Sequence, residues 1–327
     1  MDTNPQAAHQ QTGAGQAHVG QTAVRQIETG QTRLRIDLAY DGTDFHGWAR
    51  QKAQPQAQSQ PQSQHPQPQH GSTELRTVQG ILEDALSLVL RAPVQLTVAG
   101  RTDAGVHAAG QVCHVDVPLA SLQQRSIDGE PHKLVRRLSR LLPEDIRINA
   151  VEFAPAGFDA RFSALRRHYE YRVSAHPGGV LPTRARDTAA WAAPVDFSAM
   201  QDAADALVGF HDFAAFCKAK PNATTVRDLQ VFRWMDVSSA TEPATYLAHV
   251  VADAFCWSMV RSLVGTCLQV GAGKREVDFA AALLGQSSRS SKIQVAPANG
   301  LSLVRVDYPA DTELAARATE TRQRRSL

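Results

Sequence analysis

Apolar and polar residues alternate along the first patterned stretch. Leu34, Ile36, Leu38 and Tyr40 alternate with Arg33, Arg35, Asp37 and Ala39, a period of two that predicts a half-buried strand. Asp41-Gly42-Thr43 closes it as a turn. Val78, Ile81, Leu82, Ala85, Leu86 and Val89 then share one helical face behind Thr77, a fit N-cap. Val94, Leu96 and Val98 predict a strand running into Gly100, and Cys113, Val115 and Val117 another, closed by Pro118. Leu134, Val135, Leu138, Leu141 and Leu142 predict a helix with these residues inward and Pro143 past its end. Ile146, Ile148 and Ala150 alternate as a strand.

A second set follows from Val151. Tyr169, Tyr171 and Val173 alternate with His168, Glu170 and Arg172 as a strand. Phe197, Met200, Ala204 and Leu207 predict a helix with Gly209 at C′. Strands follow at Leu229–Arg233 and about 246–255, a helix over Val260, Leu263, Val264 and Cys267, and a last strand over Val304, Val306 and Tyr308. Strands and helices mix without strict βαβ alternation. The fold class expected is α+β: two similar halves, with mixed, largely antiparallel sheets flanked by helices. The halves divide at 33–150 and 151–309.

Composition changes this picture at three places. Residues 1–32 are Gln-rich without periodicity, and a Gln/Pro-rich stretch over about 53–74 interrupts the first half. Neither can bury enough apolar surface to offset its ordering entropy, so both are expected disordered. The Arg-rich residues 310–327 read as a mobile tail. Across all 327 residues, 43% are hydrophobic and the net charge is only +2. Any nucleic-acid affinity must therefore come from local charge. Cys113, Cys217, Cys256 and Cys267 form no C-x-x-C pair and have no histidine at zinc-finger spacing. They read as buried free thiols in a reducing cytosol, without a metal. No apolar run crosses a bilayer and no signal-peptide core opens the chain, which predicts a cytoplasmic protein with no membrane partner.

Three segments carry candidate chemistry. Gly100–His107 (Gly-Arg-Thr-Asp-Ala-Gly-Val-His) follows a strand and contains two glycines, the makings of a tight turn. It brings Arg101, Asp103 and His107 to a strand end, where rigid scaffolds place catalytic groups; Asp103 could equally cap the turn. Over 158–172, the arginines Arg161, Arg166, Arg167 and Arg172 interleave with Phe158, Phe162, Tyr169 and Tyr171. Arginine neutralises phosphate and rings stack on unstacked bases, so this segment suits RNA as well as it suits a basic strand over a core. Arg261 borders an apolar stripe of Trp257, Val264 and Leu268. It calls for a partner, with Asp103 one candidate, or for a head that reaches solvent.

Taken together, these residues resemble the tRNA pseudouridine synthase A family. The matching strings are Leu38–Thr43 with His46-Gly47-Trp48, Thr77–Gly80, Gly100–His107, Phe158–Ala164 with Tyr169, Met259-Val260-Arg261 with Val264-Gly265, and Ala296-Pro297-Ala298 with Gly300-Leu301. They hold order from about Arg33 to Pro309. The resemblance implies an isomerase that turns uridine into pseudouridine at tRNA positions 38, 39 and 40. It also implies the pseudouridine synthase fold, no cofactor, and a homodimer that binds tRNA. Asp103 would be the catalytic carboxylate, Arg261 its partner, Tyr169 the ring on the target uracil, and Arg101 the group that holds the flipped-out state. Arg161, Arg166, Arg167 and His107 would contact RNA. Three places depart from the family's pattern: the insert after Gln51, Ser258 where histidine is frequent, and Ala49 where glutamine is frequent. Two other classes stay open at this point. One is an RNA-binding protein without catalysis. The other is a hydrolase pairing Asp103 with Asp41 or Asp159.

Overall fold

The computed structural model describes residues 30–51, 74–218 and 224–326. The expected disordered tail and insert lie outside them, except that Gln31 and Thr32 already belong to the first strand and Glu74 pairs with Arg50. The insert leaves and returns at one place: the Leu75 amide donates to Gln51 O at 3.0 Å.

Strand β1 (Gln31–Tyr40) alternates between buried and less buried positions along its whole length, as its period of two requires. The other strands are β2 (Leu96–Val98), β3 (His107–Pro118), β4 (Ile146–Phe153), β5 (Arg166–Ser174), β6 (Ala189–Ala190), β7 (Gly209–Asp212), β8 (Val226–Asp236), β9 (Thr245–Ala252) and β10 (Leu301–Asp307). The sheets of the two halves merge into one ten-stranded sheet. Its order is β4-β1-β3-β10-β5-β9-β8-β7, with β2 added on β3 and β6 on β5. Pairing along this path is antiparallel, except at the seam. There β3 and β10 run parallel, Ser302 facing His107 and Leu303 facing Ala108. The seam thus lies where the Gly100–His107 loop enters β3.

The helices flank this sheet. Helix α1 (Val78–Leu90) starts as expected, Thr77 Oγ1 accepting from the Gly80 amide at 3.3 Å. Helices α2 (Lys133–Leu138), α3 (Phe197–Asp205) and α5 (Asp278–Leu284) are short. Helix α4 (Met259–Gly271) is buried at every position but Arg261. It can be so enclosed because Gly265 admits a backbone neighbour: a Cβ there would stand 1.8 Å from Gln294 O.

Four expectations are corrected. The helix over Leu134–Leu142 ends at Leu138, leaving Leu141 47% exposed, because the segment beyond it turns into β4. Gly209 is not a helix C′ residue: α3 ends at Asp205 and Gly209 opens β7. The mobile tail is instead helix α6 (Leu314–Ser326), seated by buried Leu314 and Ala318 one turn apart, with Arg322 bonded to Asp159 at 2.7 Å. Two apolar anchors are too few to register as periodicity. Cys217 and Cys256 are not free thiols but form a disulfide, their Cα atoms 5.7 Å apart. The fold joins positions 39 residues apart in the chain. Cys113 and Cys267 are free and buried, and burial pushes the Cys267 thiol up to about 12. Among the described residues no helix is long and apolar enough to cross a membrane.

Candidate active site

The Gly100–His107 loop is clamped at both ends and along its length. At its entry the Arg167 guanidinium donates to Ala99 O at 2.9 Å, and Gln111 Nε2 donates to Gly100 O at 2.9 Å. In the middle, the Trp48 amide donates to Thr102 O at 3.0 Å, and the hydroxyls of Tyr40 and Thr102 share a bond of 2.7 Å. Gly47, at φ +95°, lets this approach happen, since a Cβ would meet Thr102 O at 2.9 Å. The Val106 amide closes the turn onto Asp103 O at 3.2 Å. At the exit the buried His107 ring spans the seam. Its Nδ1 accepts from the Gly42 amide at 2.9 Å, and its Nε2 lies 3.1 Å from Asn299 O. Asp41 Oδ1 is also 3.2 Å from Nδ1. The Gly42 N–H already occupies that nitrogen's lone pair, so we assign a neutral ring with its proton on Nε2, donated to Asn299 O.

Asp103, on this loop, opens into a cleft of about 940 Å³. The opposite wall comes from the loop after β9 and the start of α4. Ser258 donates from Oγ to Asp103 Oδ2 at 3.4 Å. Arg261 donates from Nε to Ala296 O at 2.7 Å, and the Ala296 amide returns a bond to Arg261 O at 3.0 Å. These bonds bring together two of the segments that the sequence singled out. Tyr169 on β5 lines the cleft floor, its ring met edge-on by Phe255 at 5.1 Å.

Six of the residues chosen from the sequence (Asp103, Arg101, Tyr169, Arg261, Arg161 and Arg167) line this cleft. Arg101 and Arg161 are exposed. Burial and then the nearby Arg101 charge lower the Arg161 pKa, so the two form one concentrated positive patch. Arg167 is placed differently from a surface RNA contact. It is buried, with its donors on Ala99 O, Arg161 O and Asp253 O, so it ties three segments of the wall together. His107 braces the seam. Arg166 points away from the cleft, as strand alternation requires of the neighbour of Arg167. It lines a separate hollow with Arg35 and Tyr308 and pairs with Asp307 at 3.4 Å. Asp41 is held by Thr43 and Arg186, and Asp159 by Arg322; neither lines the cleft. Asp103 is thus the only carboxylate among the described residues lining it, beside four arginines. Sequence reasoning did not find Phe255 or Trp257 as cleft residues, because it placed them in the strand to 255 and on the helix of Arg261, whereas β9 ends at Ala252, α4 starts at Met259 and both lie on the loop between. Ser258 was visible only as a departure from a family pattern. Among the described residues no three His, Cys, Asp or Glu side chains gather as a metal would need.

All five tyrosines (Tyr40, Tyr169, Tyr171, Tyr246 and Tyr308) have phenols above the ordinary range, chiefly through burial. Tyr40 is pushed up to about 12. A folded pKa above the unfolded value of about 10 means that the fold favours the neutral phenol. The stability involved is intact below about pH 10 and is lost as pH climbs through the raised values. Ultraviolet titration of the native protein should therefore show little phenolate at about pH 10, then its abrupt appearance with unfolding. Tyrosines titrating normally in the native state would contradict this packing.

A model of the tRNA pseudouridine synthase family matches residues 203–309. The tRNA pseudouridine synthase A of Corynebacterium glutamicum is 63% identical over 290 residues, 89% of this chain and 94% of its own. That of Mycobacterium leprae is 49% identical over 300 residues, covering 90% and 96%. That of Frankia casuarinae is 50% identical over 295 residues, covering 90% and 95%. Matches that cover about nine-tenths of the chain span both of its halves, and the chain belongs to the tRNA pseudouridine synthase family.

Proposed function

We propose that this enzyme isomerises uridine to pseudouridine at positions 38, 39 and 40 of the tRNA anticodon stem-loop, with Asp103 as the catalytic carboxylate. The observation that carries this reading is the lone carboxylate on a clamped loop, in a cleft with four arginines. Arginines suit a polyanion. The absence of a second acid from the described lining speaks against a two-carboxylate hydrolase. A protein that only bound RNA would have no use for so firmly fixed an acid beside phosphate.

The reaction breaks the bond from C1′ to N1, turns the ring, joins C5 to C1′, and passes the C5 proton to solvent while N1 regains one. Its atoms balance without water or a redox partner. A fixed carboxylate serves such a step as nucleophile or base. Unstacking the uridine costs a few kcal/mol. Stacking on Tyr169 returns about 1–3 kcal/mol of that, and Arg101 fills the vacated space in the stem. Arg261, in the same cleft, keeps Asp103 ionised against burial. Two copies of the chain work as a homodimer in the cytoplasm; Phe210, 73% exposed on the outermost strand β7, supports a covered face there. A sedimentation mass of one chain would count against the dimer.

Base-resolution mapping of an unmodified tRNA transcript after incubation should find pseudouridine at 38–40. Modification confined to another arm would refute the site assignment. In the same assay Arg261→Ala should slow the reaction and move the acidic limb of its pH profile upward, because losing the cation raises the Asp103 pKa. An unchanged limb would remove the pairing.

A further inference from the structure

Trp257 stands at the rim of the cleft and is 39% exposed. A ring of that size kept partly exposed forgoes burial that a core position would give it. Its place is nevertheless firm. The Lys218 ammonium lies 4.1 Å from the ring centroid, and the Lys218 amide donates to Trp257 O at 3.0 Å. The preceding residues of the two, Cys217 and Cys256, are joined by the disulfide. Lys218 is itself exposed. The fold therefore presents a preorganised pair, an indole with an ammonium over its ring, rather than a loosely hanging side chain. Such a pair costs little ordering entropy when a ligand arrives.

Position decides what the pair faces. Ser258, the next residue, bonds to the Asp103 carboxylate, and adjacent Cα atoms are about 3.8 Å apart. Phe255, two residues before, packs on Tyr169. The ring is thus one step outward from the target pocket. A cleft of about 940 Å³ is at the upper end of what a whole drug-sized ligand occupies, so one uridine leaves room beside it.

We infer that Trp257 and Lys218 form a second nucleotide subsite. Trp257 stacks on the base of the nucleotide adjoining the target uridine in the RNA strand, and Lys218 neutralises its phosphate. This subsite rests on the reading of the cleft as a uridine-in-RNA site and extends it by one nucleotide. Stacking on an indole tolerates any base, because every base has a π face. The subsite therefore fixes strand position without demanding a sequence.

The test uses the full chain and an anticodon stem-loop RNA, intact or with an abasic residue 5′ or 3′ of the target. Trp257→Ala should weaken RNA binding about tenfold, the scale of one base stacked on a ring, while Trp257→Phe should keep most of the affinity. An abasic residue on one side should cost the wild type a similar factor and cost Trp257→Ala nothing further, since the two changes remove one interaction. Lys218→Ala should lower the salt dependence by about one phosphate contact. Equal abasic penalties in wild type and variant would overturn the subsite. So would unchanged binding with an altered sedimentation mass, which assigns the ring to a subunit contact. A wild type that binds with this coupling but forms no pseudouridine would sink the reading of the chemistry and leave the subsite standing.

Discussion

The role proposed for Asp103 asks for a carboxylate that does not follow a loosened base, and the fold's answer to that demand lies in backbone carbonyls. Arg167 spends its donors on Ala99, Arg161 and Asp253, a buried cation that holds three chain segments in place of a carboxylate. Desolvation lowers its pKa, opposed by the tyrosines Tyr308 and Tyr169 and by Asp253. The three carbonyls supply the hydrogen bonds that a buried guanidinium needs. His107 does the corresponding work at the other end, across the parallel seam. Between these two braces the loop that carries Asp103 is held at both ends, the preorganisation that the proposed chemistry asks for.

The same architecture fixes the electrostatics of the cleft. Strand β5 sends Arg167 and Tyr169 to one face and Arg166 and His168 to the other. The charges of one segment thus divide between the cleft and the far side of the sheet, where Asp307 answers both Arg166 and His168. A net charge of only +2 is compatible with a polyanionic substrate because the positive groups converge locally. One acid among four arginines is also an arrangement in which nearby opposite charge favours the ionised form of a carboxylate.

Much of this was legible in the residues themselves, and the rest was not for identifiable reasons. β1 could be read because every second residue faces the core, and α1 because Thr77 caps a clear apolar stripe. The Gly100–His107 loop was conspicuous because glycines and polar groups follow a strand directly. The roles of Arg167 and His107 were hidden, since their partners lie far along the chain: Ala99 is 68 positions from Arg167 and Asn299 is 192 from His107. Helix α6 was missed because only Leu314 and Ala318 anchor it. The Cys217–Cys256 link leaves no spacing signal. The merging of two half-sheets into one rests on a two-residue parallel pairing, too short for any pattern to announce.

The central claim is that the fixed Asp103 carboxylate drives exchange of the uracil C5 position. It is tested most directly by release of tritium from tRNA carrying 5-tritiated uridine, with wild type and Asp103→Asn side by side. The account predicts release by the wild type and none by the variant, which keeps the side chain's shape and removes its charge. Release by both would show that another group does the chemistry, and no release by the wild type on unmodified tRNA would contradict the isomerase reading itself.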